Sequence, residues 1–465
     1  MTLRAPTATR PHRAFKARRR TELGLLVAAS VIIIAAYTLM ILGNTKSAPS
    51  DVVPLLIAML ALGGVAHIAN RIFVPNAVAV ILPIAFLLNG LGYVMILRID
   101  LGRATNYAPL QAAWTAGGVA AYVITLSVVR RSRDLDRYRY LLLAGGIILL
   151  LLPLVPHFGE NIYGARLWVR AGSFSFQPVE LAKILLCIFF ASYFAEKREL
   201  LTIPTARFGN RLVLDPRPLA TIAVAWVFAI GVMSLEHDIG FSALLFTLFI
   251  GMLWVTTGRT GYLVLGIVLF AIGAYLASHY FYQTHIRVET WLDPSRILPQ
   301  DPGLQLRQAW YALGSGGIGG SGLGLGFGAY LIPVARADFI FAVIGEEMGL
   351  LGSTMVVVAF LLMVGAGLRV AQAARSEFAK LTAVGLTMII GFQAFFIMAG
   401  VVRLLPLTGI SLPFVSYGGS ALVANYVLIA LLMRISDEGG AAADTVDQTQ
   451  FEKSEERRER LLRGD

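Results

Sequence analysis

The chain is built from runs of about 17 to 30 mostly apolar residues, each ended by a short polar segment. A segment surrounded by lipid has no water to satisfy its N–H and C=O groups. It must therefore be a helix, which bonds them within itself, or part of a closed barrel. Barrel strands would alternate apolar and polar residues over about ten positions, and no stretch that long does so. The expected fold class is an all-α polytopic integral membrane protein. Composition excludes the soluble alternative, since 57% of residues are apolar and 14% charged, against roughly 45–50% and about 25% in soluble domains.

Reading the apolar windows gives about twelve spans, near 23–43, 52–70, 74–97, 108–129, 139–154, 178–195, 217–233, 240–256, 261–277, 338–368, 380–402 and 411–433. Seven of the first twenty residues are Lys or Arg, and the first apolar run is too long for a cleaved signal peptide, so 1–20 reads as a basic cytoplasmic leader before a retained span. With both termini in the cytoplasm, internal connections carry 22 Lys or Arg and external ones ten, the bias that sets orientation. The net charge of +11 then faces anionic head groups. No basic face with interleaved aromatics is present, so no nucleic-acid partner is expected. Residues 435–465, polar and poor in aromatics, read as a disordered cytoplasmic tail. The single Cys187 excludes an intrachain disulfide and reads as packing.

Two external segments are longer than the rest, 155–176 and 278–337. Charges beside or inside spans mark cavities or pathways, and four places stand out. Glu180 and Lys183 share one helical face at i,i+3, as a structural ion pair or as a polar cavity where the lysine meets a phosphate; the cost of burying a pair for stability alone favours the cavity. Glu236, His237 and Asp238 read as a polar turn or a weak hard-cation site. Asp338, where the large loop re-enters the membrane, is a helix cap or a half-desolvated base able to take a sugar hydroxyl's proton. Glu346 and Glu347, roughly 12–14 Å deeper along that helix, are expected to pair with Lys183 or with arginines of neighbouring helices. The glycine run Gly314–Gly328 lacks a Walker lysine and any strand–turn–helix setting, and reads as a mobile or tightly folded segment.

Four motifs, GARLWVRAGSFSFQPVELAK at 164–183, LEHDIG at 235–240, ARADFIFAVIGEEMGLLG at 335–352 and LPLTGISLPFVSYGGSALVANY at 405–426, resemble the SEDS family of bacterial cell-envelope proteins, which contains RodA, FtsW and SpoVE. The resemblance covers about residues 74–434. It implies a ten-helix catalytic core over 74–434, with the two helices of 21–73 as an N-terminal extension like that of actinobacterial members. It further implies a peptidoglycan glycosyltransferase of the cytoplasmic membrane that polymerises lipid II on the external face beside a class B penicillin-binding protein transpeptidase. The growing undecaprenyl-linked glycan is the second lipid partner. Residue by residue, the family's loop aspartate falls on Asp338, its QPxE glutamate on Glu180, the following lysine on Lys183, its loop arginine on Arg287, and its SYGGS run on Ser416 through Ser420. The resemblance implies catalytic roles for Asp338, Glu180 and Lys183. It implies substrate contacts for Arg287, Lys183, Ser416 and Ser420, and leaves room for a divalent cation, Mg2+ or Mn2+, with Asp338 as a ligand. Arg336-Ala337 stands where the family has a polar residue and Thr. The wording is closer to RodA, which serves elongation and rod shape, than to FtsW, which serves the septum. A lipid II carrier and a noncatalytic scaffold are the rival classes; a carrier would set its charges near mid-membrane, an enzyme at the external face.

Overall fold

The computed structural model describes residues 11–44, 52–155, 159–162, 165–171, 174–202, 206–208, 211–213, 239–295, 301 and 303–463, with the isolated positions 227 and 231. The order of elements begins with α1 (Pro11–Gly43), α2 (Val52–Phe73), α3 (Ile81–Arg103), α4 (Ala108–Val128), α5 (Ser132–Arg137) and α6 (Arg139–Leu151). A three-stranded antiparallel sheet follows, β1 (Gly159–Ile162), β2 (Ala165–Ala171) and β3 (Phe174–Phe176), and then α7 (Val179–Thr202) and the hairpin β4 (Ala206–Phe208) and β5 (Arg211–Val213). The rest is helical: α8 (Ile239–Thr257), α9 (Thr260–Tyr280), α10 (Tyr282–Leu292), α11 (Leu304–Gly316), α12 (Gly328–Leu331), α13 (Ile340–Ala373), α14 (Glu377–Val401) and α15 (Gly419–Arg463).

Among the described residues, eight helices are long and apolar enough to cross a membrane: α2, α3, α8, α9, α13, α14 and the apolar parts of α1 and α15. Of the other four expected spans, α6 forms a shorter apolar helix with the turn after it, and α7 is interrupted by Glu180 and Lys183 at its start and by Glu196, Lys197 and Arg198 near its end. The third, α4, is 21 residues rich in Ala, Gly and Thr. The fourth, 217–233, falls outside the described residues. The short sheet and the β4–β5 hairpin are additions to a fold that is otherwise helical among the described residues, as expected. Within β2, Leu167 and Val169 alternate with Trp168 and Arg170, over a length too short for a membrane strand. In the paired register Glu160 stands opposite Trp168 and Val169 opposite Phe176.

The helices differ sharply in what they face. The membrane window of α3 is 94% buried, whereas that of α9 is 6% buried; α3 is the central post and α9 leaves its apolar side chains exposed. Gly92 of α3 meets the turn before α15 so closely that a Cβ there would lie 2.4 Å from the Val415 carbonyl oxygen. Asp100, near the C-terminal end of α3, folds back over the turn to α4. It accepts from Thr105 Oγ1 at 2.5 Å and from the backbone N–H of Tyr107 and Ala108 at 2.6 Å each, satisfying donors that the first turn of α4 leaves open. At the opposite end of α3 and α4, Asp437 accepts from Asn76 N and Glu438 from Ser132 N and Oγ. These docked carboxylates lie in the stretch read from sequence as a disordered tail, and the helical backbone of α15 runs on to Arg463, through residues of strong helix propensity.

Candidate active site

Asp338 sits immediately before Phe339, the residue that precedes α13, and the start of that helix has no side-chain cap. The cap reading therefore does not describe this carboxylate. Among the described residues it has neither hydrogen bond nor ion pair, yet it is half-buried. Burial pushes its pKa up from 3.8 to about 6, and the nearby Arg287 guanidinium opposes that shift without cancelling it. A carboxylate kept dry, unpaired and close to neutral pH is suited to accepting a proton.

The turn that presents it is held by the chain just before α15. Tyr417 N donates to Arg336 O at 2.8 Å, Ser416 Oγ donates to Ala337 O at 2.5 Å, and Ser416 Oγ accepts from Leu412 N at 3.0 Å. Ser420 Oγ accepts from Gln177 N at 2.8 Å. Both hydroxyls bond backbone, where they join the 335–338 turn and the start of α7 to α15. Arg336 lays its guanidinium on the Tyr107 ring at 3.7 Å and reaches Tyr417 at 6.0 Å, the two rings meeting edge to face at 5.0 Å. Burial raises the Tyr417 phenol above its usual 10.0.

Arg287 comes from α10 and donates to Thr408 O at 2.9 Å. Gly409 follows with φ +75, and a Cβ there would lie 3.1 Å from Arg287 Nη2, so glycine permits both the turn and the approach. Arg287 also lines a cavity of about 580 Å³ between α8, α9, α10 and α14, walled by Phe270, Trp291, Phe395, Phe396 and Leu407 among others. That volume lies in the ~300–1,000 Å³ range of ligand sites. Thr284 and Thr408 on its wall each carry a buried hydroxyl with no partner among the described residues.

Glu180 and Lys183 are 1% and 4% exposed and paired at 2.5 Å. The lysine also donates to Gln393 Oε1 at 2.7 Å and faces the Phe241 ring at 5.5 Å. That fixes the amide so that its Nε2 donates to Ser411 O at 2.9 Å, three residues from the carbonyl that holds Arg287. Beside Lys183 lies an apolar void of about 10 Å³, and the lysine's polar contacts run through Gln393 to the 408–411 segment.

The glycine run is tightly folded. Glu346 accepts from Phe327 N at 2.9 Å and Gly328 N at 2.6 Å, and Glu347 from Gly324 N at 2.9 Å. Glu347 also pairs at 2.8 Å with Arg98 of α3, itself 1% exposed and bonded to Gly326 O; Lys183 is not its partner. At Gly349, with φ +65 and ψ −165, α13 breaks. Ser321 N and Gly322 N donate to the Glu346 and Glu347 carbonyls, and Leu350 N and Leu351 N donate to Gly317 O and Ile318 O. A length of extended chain thus replaces one turn's worth of helical bonds. The far end of α1 abuts the same loop, since a Cβ on Gly43 would lie 2.2 Å from Leu323 O.

Arg98 was missed in the sequence because the apolar window closes at residue 97, although α3 runs six residues further. A charge next to such a window was the available signal. Tyr107, Tyr417 and Gln393 gave none. As for a metal, no group of three or more His, Cys, Asp or Glu that could hold one occurs among the described residues. Asp338 has a guanidinium rather than a second carboxylate for company, which does not fit a resident divalent cation. Glu236, His237 and Asp238 lie outside the described residues.

Residues 78–440 match the model of the FtsW/RodA/SpoVE family, described as cell cycle proteins. The peptidoglycan glycosyltransferase RodA of Mycobacterium tuberculosis is 41% identical over 441 residues, 93% of each chain, and that of Mycobacterium leprae 40% identical over 425 residues, 90% of each. A probable peptidoglycan glycosyltransferase FtsW of a Geobacter species is 38% identical over 306 residues, 65% of this chain and 79% of its own. Among solved structures, a chain of a peptidoglycan synthase complex has a TM-score of 0.60 at 23% identity, covering 77% of this chain and 96% of its own. The crystal structure of Thermus thermophilus RodA has a TM-score of 0.55 at 23% identity, covering 76% and 94%. At that identity the likeness is one of fold.

Proposed function

Because the chain belongs to the FtsW/RodA/SpoVE family, we propose the following account of how it works as a peptidoglycan glycosyltransferase of the membrane. Asp338 is the base, Arg287 receives the leaving diphosphate, and the product is a β-1,4 glycan made from lipid II at the outer face of the cytoplasmic membrane. The observation that carries this reading is the unpartnered Asp338 carboxylate, held near pKa 6 within the field of Arg287.

The 4-hydroxyl oxygen of the acceptor sugar attacks the anomeric carbon of the donor while Asp338 takes the hydroxyl proton. The bond from that carbon to the diphosphate oxygen breaks, and its electron pair leaves with undecaprenyl diphosphate. One displacement turns an α-linked lipid donor into a β-linkage, so no second carboxylate or covalent intermediate is required. Arg287 offsets charge growing on the diphosphate, and the cavity beside it accommodates apolar chain attached to that group. The Glu180–Lys183–Gln393 set holds the 408–411 segment and so acts on Arg287 at one remove. A divalent cation enters as counter-ion of the substrate's diphosphate.

The positive bias of internal connections supports cytoplasmic termini, with the Asp338 end of α13 outside. The greater coverage of RodA relatives than of the FtsW relative supports a role in elongation. The lipid-facing side of α9 suits the membrane anchor of a class B penicillin-binding protein, and a neighbour from a complex that joins polymerization to crosslinking supports that partnership. The deciding experiment is glycan synthesis from purified lipid II by Asp338→Asn. The substitution keeps size and hydrogen bonding but cannot accept the proton at neutral pH. Inserted, folded protein that makes no glycan is expected; near-normal synthesis would return the choice to a carrier or a scaffold.

A further inference from the structure

We propose that Arg336 is a second anion subsite, one that takes the diphosphate of the acceptor lipid while Arg287 takes that of the donor. The inference rests on the glycosyl-transfer reading above. It starts from an imbalance among the charges around Tyr107 and Tyr417. Asp100 is fully engaged by Thr105, Tyr107 and Ala108. Arg103 spends its guanidinium on the carbonyls of Ala329, Tyr330 and Ile332. Arg336, by contrast, has no hydrogen bond or ion pair from its guanidinium among the described residues; it is held only by the faces of Tyr107 and Tyr417.

Stacking on a ring uses the flat face of a guanidinium and leaves its five N–H donors in the plane free. Such a group is already positioned, so little further ordering is needed to receive a bidentate phosphate. The support is itself fixed, because Tyr417 N bonds Arg336 O and the Tyr417 hydroxyl bonds Trp114. No residue that touches Arg336 belongs to the lining of the Arg287 cavity. The two guanidiniums therefore occupy separate surroundings, with Arg336 two residues before Asp338 in the chain. Transfer between two lipid-linked sugars needs two such places, since donor and acceptor each carry a diphosphate. The cavity beside Arg287 and that arginine's field on Asp338 assign the leaving diphosphate there, which leaves Arg336 for the acceptor, whose diphosphate lies away from the reacting hydroxyl.

The test is calorimetric titration of the purified full chain, in detergent free of phospholipid, with farnesyl diphosphate. Two molecules per chain are expected for the parent and for Asp338→Asn, and one for either Arg336→Gln or Arg287→Gln. In lipid II turnover Arg336→Gln should raise KM by about tenfold, the loss of one charge-assisted contact, with kcat retained. Arg336→Met, whose stem still packs on Tyr107, keeps the stoichiometry readable if Gln in this place disturbs folding. Two sites of parental affinity in both variants would overturn the assignment, as would equal weakening of both sites. Phosphatidylglycerol displacing farnesyl diphosphate from the Arg336 site at lower concentration than farnesyl diphosphate itself would make it a lipid head-group site and also overturn it. A parent that binds two diphosphates but makes no glycan refutes the glycosyl-transfer reading and not the subsite; a parent that polymerises while Arg336→Gln binds two refutes the subsite alone.

Discussion

At the scale of single residues, the pKa of Asp338 has two consequences that run in opposite directions. Activity requires the ionised form, so kcat/KM should rise with pH through about 6 and level off above it. Stability follows the other sign. The folded chain holds the Asp338 proton more tightly than the unfolded chain does, so this residue's contribution is present in full below about pH 4 and is lost as pH rises towards 6. Asp338→Asn should therefore melt above the parent at pH 7 to 8, the gap closing as pH is lowered to 4, while making no glycan throughout. Thermal melts across that range check it; a variant less stable than the parent at pH 8 would refute the burial argument. Glu180 and Lys183 make a different case. Removing either leaves an uncompensated buried charge and should cost about 3–5 kcal/mol, whereas the pair Glu180→Lys with Lys183→Glu restores neutrality but turns Gln393 to the wrong partner. Melts should then recover further than synthesis does. Equal recovery of both would make the pair purely structural.

At the scale of elements, the sequence shows the helices and hides how they are interrupted. Asp338 was legible because a carboxylate at the mouth of an apolar run is costly and rare, and Arg287 through the family resemblance, which sets a loop arginine there. The break in α13 was not, since GEEMGLLG reads as uninterrupted helix; it exists only because residues 317–322 supply the hydrogen bonds that the helix gives up. The partners of Glu346 and Glu347 were hidden for the same reason, being backbone N–H groups of a loop. Gly349 tests this arrangement. A Cβ there would lie 2.3 Å from Gly320 N in a left-handed conformation, so Gly349→Ala should cost about 1–3 kcal/mol. The loss should be local, with insertion and α14 and α15 packing retained, glycan synthesis reduced, and amide exchange faster over 317–328. Unchanged exchange with normal synthesis would mean the inserted chain does not position Asp338.

At the scale of the whole molecule, the expectation is an orientation. In a Cys187→Ala background, single cysteines within 1–20 and after 437 should resist an impermeant thiol reagent added outside cells, and cysteines within 278–337 should react. Labelling of the leader from outside would invert the topology and place Asp338 in the cytoplasm. The distribution of burial agrees with a bundle built around α3 and open at α9, but that contrast could not be foreseen, because both helices are comparably apolar in sequence. What separates them is tertiary: small residues such as Gly92 let α3 be approached closely, while α9 leaves most of its window exposed.

The interruption of α13 also bears on the bilayer itself. An unbroken helix of 34 residues would measure about 51 Å, well beyond the ~30 Å hydrocarbon layer, and would have to tilt or bend whenever membrane thickness changed. With the joint at Gly349, the segment from Leu350 onward can adjust its tilt to the surrounding lipid, while Ile340–Met348 stays tied to α3 and the glycine run through Glu346, Glu347 and Arg98. The Asp338 carboxylate at its head stands on the side of the joint that is tied to the protein, so its position follows the packing of the protein more than the thickness of the membrane that carries it.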